Sequence, residues 1–146
     1  MTIRIQKLRE NAQIPAYQSP LAAGADLYAA IDAPLTLAPM DRALVPTGIA
    51  AQPDRDDCVL VIAARSGLAV KKGVTLSNGI GVVDADYRGE ICVGLVNLGK
   101  DSVTLEPGER IAQLLVMPVL WAQFVPADTL DETERGAGGF GHTGTK

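Results

Sequence analysis

Histidine occurs once in this chain, at His142, and cysteine twice, at Cys58 and Cys92. Three such side chains, far apart in sequence, cannot build a Cys/His zinc site of ordinary ligand spacing. Both cysteines sit in valine-rich stretches, CVLVIAA and ICVGLV, and read as buried, reduced thiols. No run of about 18 apolar residues is present, so no membrane-spanning helix is expected. The first residues, MTIRIQKLRE, alternate polar with apolar and hold no hydrophobic signal core. Export is therefore not expected, and a cytoplasmic location is. Positive charge is also scarce: 13 Lys and Arg face 17 Asp and Glu, for a net charge of −4. Duplex nucleic acid is bound mainly by neutralising its phosphates with basic residues, so it is not an expected partner. A small phosphorylated ligand, held by a few arginines and a metal, is still compatible with this balance.

Turn-formers and short apolar runs are plentiful instead. The 146 residues include 15 Gly and 9 Pro. TIRIQKL and LTLAP alternate, and CVLVIAA, GVTLSNG, EICVGLVNL, SVTLEPG and RIAQLLVMPVL are β-branched or leucine-rich. Turn signals fall between them: APMD, QPDRDD, SNG, DYRG, LGKD and EPGE. This spacing predicts an all-β, jelly-roll-like barrel or sandwich. One segment, SGLAVKKG, predicts a short helix, with Ser66 as a candidate cap. The predicted organisation is one β domain over residues 1–134 and a flexible glycine-rich arm over 135–146. The arm, RGAGGFGHTGTK, carries too little apolar surface to offset its ordering entropy. Its GAGGFG formally fits a dinucleotide fingerprint, but no strand precedes it and no helix follows.

Five stretches gather glycines with polar groups in this otherwise apolar chain. They are AGADLYA, ARSGLAVKKGV, SNGIGVVDADYRGE, GERIAQLL and RGAGGFGHTG. Each has an ordinary explanation alone: Asp26 in a turn, RSG starting a helix, PGER as a turn, a loose terminus. Together they offer more. A guanidinium and a hydroxyl at a helix start suit a phosphate. Asp26, Asp84 and Asp86 are hard oxygen ligands compatible with Mg²⁺. Phe140, alone among glycines, can close over the flat face of a base. The combination describes a nucleoside polyphosphate site closed by an arm.

In order and spacing these five stretches resemble the five motifs of the trimeric dUTP pyrophosphatases (dUTPases). The resemblance runs from AGADL to GGFGHTG and includes an intact DADYRGE. It implies a homotrimer with sites shared between subunits. It further implies hydrolysis of dUTP to dUMP and pyrophosphate, with Mg²⁺ held mainly by the triphosphate. That activity would limit uracil in DNA and supply dUMP. The implied base is Asp84, activating water. Tyr87 is implied to pack on the deoxyribose and exclude a 2′-hydroxyl. Asn78, with main chain near Val82, Val83 and Cys92, would read uracil from a hairpin. Arg65, Ser66, Gly67 and Gln113 would contact the phosphates, with Arg110 supporting. Asp26 would stand near the metal through water, and the arm would bring Arg135 and Phe140. His142 departs from the serine common at that position. A dCTP deaminase shares fold and phosphate segment but lacks the full DADYRG stretch. A non-enzymatic jelly-roll trimer leaves the five polar clusters unexplained.

Overall fold

The structure, a computed structural model, describes residues 1–139. Among these residues it contains eleven strands and one helix. They are β1 (Ile3–Lys7), β2 (Ala25–Tyr28), β3 (Leu35–Leu37), β4 (Arg42–Pro46), β5 (Ile49–Pro53), β6 (Cys58–Ala64), α1 (Ser66–Lys72), β7 (Val74–Leu76), β8 (Gly81–Asp84), β9 (Cys92–Asn97), β10 (Val103–Leu105) and β11 (Arg110–Pro118). The all-β expectation holds, and every apolar run named above forms a strand. Strands β2, β4 and β5 were not anticipated as strands. The β4 and β5 segments, RALVP and IAAQP, are alanine-bearing and end in proline, so local propensity for a strand is weak. Pairing decides them: β4 lies against β9, and β5 against β1.

All pairings are antiparallel, in four sheets ordered β1-β5, β10-β3, β2-β11-β6-β8 and β4-β9-β7. None closes into a barrel among the described residues, and the arrangement is jelly-roll-like. Strand β6 sits inside the largest sheet, with β11 on one side and β8 on the other. It alternates inward Cys58, Leu60 and Ile62 with half-exposed Val59 and Val61, the period-two pattern of a strand with one face on the core. Leu60 and Ile62 join Leu27, Leu37, Ile49, Leu95, Leu105 and Ile111 in a single apolar cluster. No described helix is long and apolar enough to cross a membrane.

One implied feature is corrected. Strands β7 and β8 do not form a hairpin with each other. The edge of β7 is taken by β9 (Leu76 opposite Leu95) and that of β8 by β6 (Val83 opposite Leu60). Residues 77–80 therefore cross from one sheet to another, turning at Gly79 with φ +77°. The helix also starts differently from expectation. Its cap is Arg65, in extended conformation, and Ser66 is the first helical residue; no side chain caps it. Gly73 ends it with φ +75°, returning its amide to Ala69 O and Leu68 O.

Two features beyond the sheets matter for function. After Pro118 no strand or helix follows in the described chain, and Leu120 and Phe124 are 96% and 94% exposed. Near the N-terminus, Arg9 grips Glu90 with two nitrogens (2.7 and 3.1 Å), and Glu90 Oε1 also accepts the Gly48 amide at 2.9 Å. The Arg9 guanidinium holds the Glu90 carboxyl below the usual carboxylate range, with the Gly48 amide assisting against partial burial. A depressed carboxylate stabilises the fold above its unfolded pKa, and that contribution is lost as pH falls through the folded value. Glu90→Gln is therefore expected to lower stability at pH 7 and to reduce the difference in stability between pH 7 and pH 3. Urea denaturation at both pH values measures this; equal differences in variant and parent would remove Glu90 from the acid sensitivity.

Candidate active site

The most tightly built polar cluster lies where β2, β6 and β11 end together. Asp26, in β2, is only 6% exposed. Its Oδ1 forms an ion pair with Arg65 Nε at 2.9 Å, and its Oδ2 accepts a hydrogen bond from an Arg110 terminal nitrogen at 3.1 Å. Arg65 donates in addition to the Arg110 carbonyl at 3.1 Å. Gln113 stands opposite Asp26 across the β2–β11 ladder, and its amide nitrogen donates to Ala64 O at 2.9 Å. Gly24 makes room for that amide, since a Cβ there would come within 2.6 Å of Gln113 Oε1. Ser66 and Gly67 are exposed on the first turn of the helix. Two guanidiniums against one carboxylate leave one positive charge in excess, held in fixed orientation, which suits an oligophosphate.

A second cluster sits at the end of β8. Asp84 is exposed, and its carboxylate has no hydrogen bond or ion pair among the described residues. The backbone turns immediately after it, with the Tyr87 amide on Asp84 O at 3.1 Å. Arg88 locks that turn by donating to Ala85 O and Tyr87 O at 2.7 and 2.9 Å. Asp84, Asp86, Val82 and Arg88 line an open cleft of about 980 Å³ shared with Asp54 and Trp121. Val82 faces solvent and Val83 packs on the core. Asn78 is exposed on the crossing between sheets. Cys92 begins β9 in the other sheet, opposite Pro46, and burial pushes its thiol pKa up. Both cysteines are free thiols; Cys58 is buried as expected and Cys92 is only half-buried.

These two clusters do not meet within one chain. Asp84 is opposite Val59, near the start of β6, whereas Arg65 follows the end of that strand. Six residues of extended chain separate them, roughly 20 Å at about 3.3 Å per residue. None of Asp26, Arg65 and Gln113 lines the Asp84 cleft. Arg135 is exposed and donates to Gly138 O within its own segment at 2.8 Å. Phe140 and His142 lie outside the described residues. Among the described residues no group of three His, Cys, Asp or Glu could hold a metal ion. Both Asp26 oxygens carry guanidinium contacts, which hold Arg65 and Arg110 beside it.

The family model described as dUTPase matches residues 10–144. The chain belongs to the dUTPase family. Proteins named deoxyuridine 5'-triphosphate nucleotidohydrolase are similar to it over most of their length. The one from Desulfotalea psychrophila is 51% identical over 92% of this chain and 89% of that protein. The one from Aeromonas hydrophila is 50% identical over 90% and 86%. A structure of the Staphylococcus bacteriophage 80alpha dUTPase with dUPNHPP matches with a TM-score of 0.88 at 25% identity, covering 99% of each chain. A mutant dUTPase from phage phi11 of S. aureus, described as revealing coordination of a structural Mg(II) ion, matches in fold with a TM-score of 0.81. It is 20% identical and covers 90% of this chain and 100% of its own.

Two residues that the structure ties to the candidate site or to its neighbourhood were missed on reading the sequence. Gly24 appeared only as part of AGAD, and Arg9 lay outside every stretch. The Gly24 signal was legible, as a glycine beside a candidate functional acid; Arg9 carried none, because its partner is 81 positions away. The ion pairs of Asp26 generate a stability test. Asp26→Asn keeps the shape but leaves two guanidiniums without their anion, and should cost about 1–3 kcal/mol. Urea denaturation checks this, and an unchanged midpoint would show that the pairs contribute nothing net.

Proposed function

We propose that this chain hydrolyses dUTP to dUMP and pyrophosphate, as a homotrimer whose sites are shared between subunits. The observation that carries the reading is the pairing of an unpartnered Asp84 with a separate, Asp26-anchored arginine cluster in a chain of this family. Asp84 takes a proton from a water as its oxygen bonds to the α-phosphorus in line. The bond from that phosphorus to the oxygen bridging to the β-phosphate breaks, and pyrophosphate leaves. Arg65, Ser66, Gly67 and Gln113 bind the phosphates, and Arg110 keeps Arg65 in place. Tyr87 packs on the deoxyribose, while Asn78 and main chain near Val82, Val83 and Cys92 read the uracil edge. Uracil offers an N3–H between two carbonyls, and cytosine reverses that pattern at N3 and C4, so a matched site would leave groups unpaired with cytosine, costing about 1–3 kcal/mol each.

Mg²⁺ would be held mainly by the triphosphate oxygens, with Asp26 near it through water, and would neutralise phosphate charge there. The arm is assigned Arg135 for the phosphates and Phe140 for the base, closing the site against water. Sharing between subunits is supported by the roughly 20 Å between Asp84 and Arg65 along β6. It is also supported by the uncovered apolar segment at Leu120, Trp121, Phe124 and Leu130. Free thiols at Cys58 and Cys92 accord with the reducing cytoplasm as the place of action, where removing dUTP limits uracil in DNA and supplies dUMP.

Pyrophosphate release should be seen from dUTP, strongly favoured by Mg²⁺, and far less from dCTP, dTTP or UTP. Ammonia from dCTP would replace this reading with deamination. Asp84→Asn should bind nucleotide yet lose about two to four orders of magnitude in turnover, the worth of a general base; near-normal turnover would remove that role. A chain ending at Glu134 should remain folded with little activity, and full activity would leave the arm without a part in catalysis.

A further inference from the structure

Tyr87 is not held by its own turn alone. Its hydroxyl donates to the carbonyl of Glu90 at 3.1 Å. Its ring lies directly over Gly89: a Cβ built there would come within 2.3 Å of the hydroxyl oxygen, 2.6 Å of Cζ and 3.1 Å of Cε2. Contacts this short cannot be relieved by a small shift of Gly89, so any side chain there must push the phenol away. Glu90, whose carbonyl fixes the outer end of the ring, is itself restrained from a distant part of the chain. Arg9 grips both its carboxylate oxygens, and the Gly48 amide takes Oε1. Gly48 is a rigid attachment point, because φ +70° and Ala12 Cβ within 2.7 Å of an added Cβ leave that position to glycine. The next residue is strapped as well: Ile91 N donates to Ile49 O at 2.8 Å, and buried Thr47 donates to Ile91 O through amide and hydroxyl.

We propose that Arg9 and Glu90 are positioning residues for sugar discrimination, setting through the Glu90 carbonyl and the Gly89 floor where the Tyr87 ring stands. The proposal rests on the reading that Tyr87 excludes a 2′-hydroxyl. A ring that blocks one added oxygen must be placed to a fraction of that atom's diameter. A phenol on an exposed turn has no such precision without an external brace. Arg9 supplies it from outside the nucleotide-binding stretches, by a two-pronged contact whose planar geometry fixes direction as well as distance. Arg9 touches no reacting group, so its loss should act on the choice between dUTP and UTP more than on the chemistry with dUTP.

The test is the ratio of kcat/KM for dUTP over UTP in full-length Arg9→Ala, Arg9→Lys, Glu90→Gln, Gly89→Ala and Tyr87→Ala, with thermal unfolding of each. Gly89→Ala and Tyr87→Ala should lower the ratio by about tenfold or more, on the scale of a small steric change in a fitted pocket. Arg9→Ala should lower it several-fold, Arg9→Lys less, with kcat for dUTP changing least. Combining Arg9→Ala with Tyr87→Ala should cause no loss of ratio beyond Tyr87→Ala alone, because both act through one ring. A purely structural brace would lower the unfolding temperature and move dUTP and UTP together; an unchanged ratio in folded Arg9→Ala and Gly89→Ala, with Tyr87→Ala defective, overturns the proposal. An unchanged ratio in Tyr87→Ala overturns the reading beneath it and the proposal with it.

Discussion

The register between β6 and β8 is the constraint on which the rest of this molecule depends. It fixes Asp84 opposite Val59 and Gly81 opposite Ile62. The same strand, continued past Ala64, delivers Arg65 into the carboxylate of Asp26. One strand therefore carries the acid end of the candidate site and the phosphate end at opposite extremities. Because β6 alternates core and surface residues, a one-residue slip would turn Leu60 and Ile62 outward, so apolar burial holds the register. Length then becomes a functional quantity. On the proposed reading, a strand long enough to span the core holds Asp84 and Arg65 of one chain too far apart for one triphosphate, and a second copy would bring the two groups together.

The polar clusters at the two ends solve different physical problems. At the end proposed to bind phosphates, cations must be concentrated without ligand and still keep the fold together. Asp26 does this, neutralising one charge while orienting both Arg65 and Arg110. At the acid end, a carboxylate must stay unpartnered and a neighbouring ring must be placed closely. Asp84 is left open, and the placing is passed to Gly89, Glu90 and, from the far end of the sequence, Arg9. The restraint falls on groups beside Asp84, leaving its own carboxylate unpartnered among the described residues.

Most of the fold was legible because strands show as alternating stretches, as in β1 and β3, or as short β-branched or leucine-rich runs bounded by turns, as in β6, β9, β10 and β11. Strands β4 and β5 were not, because Ala43, Ala50 and Ala51 carry little strand preference and the pairing that forms them is long-range. The resemblance implied a hairpin at 77–80, and SNG is a good turn; only the competing partners β9 and β6 show that its flanks belong to different sheets. Site residues were legible wherever a polar side chain interrupts an apolar run, as at Asp26 and Asp84. What such interruptions cannot convey is the partner. The two arginines that meet Asp26 lie 39 and 84 positions downstream and were not foreseen as its partners. Arg9 read as nothing for the same reason.

Mixing two inactive variants tests whether the Asp84 of one copy and the Arg65 of another build one site. Asp84→Asn and Arg65→Ala chains, unfolded together in equal amounts and refolded, should form mixed trimers. About a quarter of the sites would then pair an intact Asp84 with an intact Arg65, if each site takes them from adjacent copies around a ring. Pyrophosphate release from dUTP should rise to about that fraction of the parent rate, from two preparations that show almost none alone. A mixture as inactive as its components, with mixed trimers demonstrated by mass, would place both residues in the same chain's site and contradict the account.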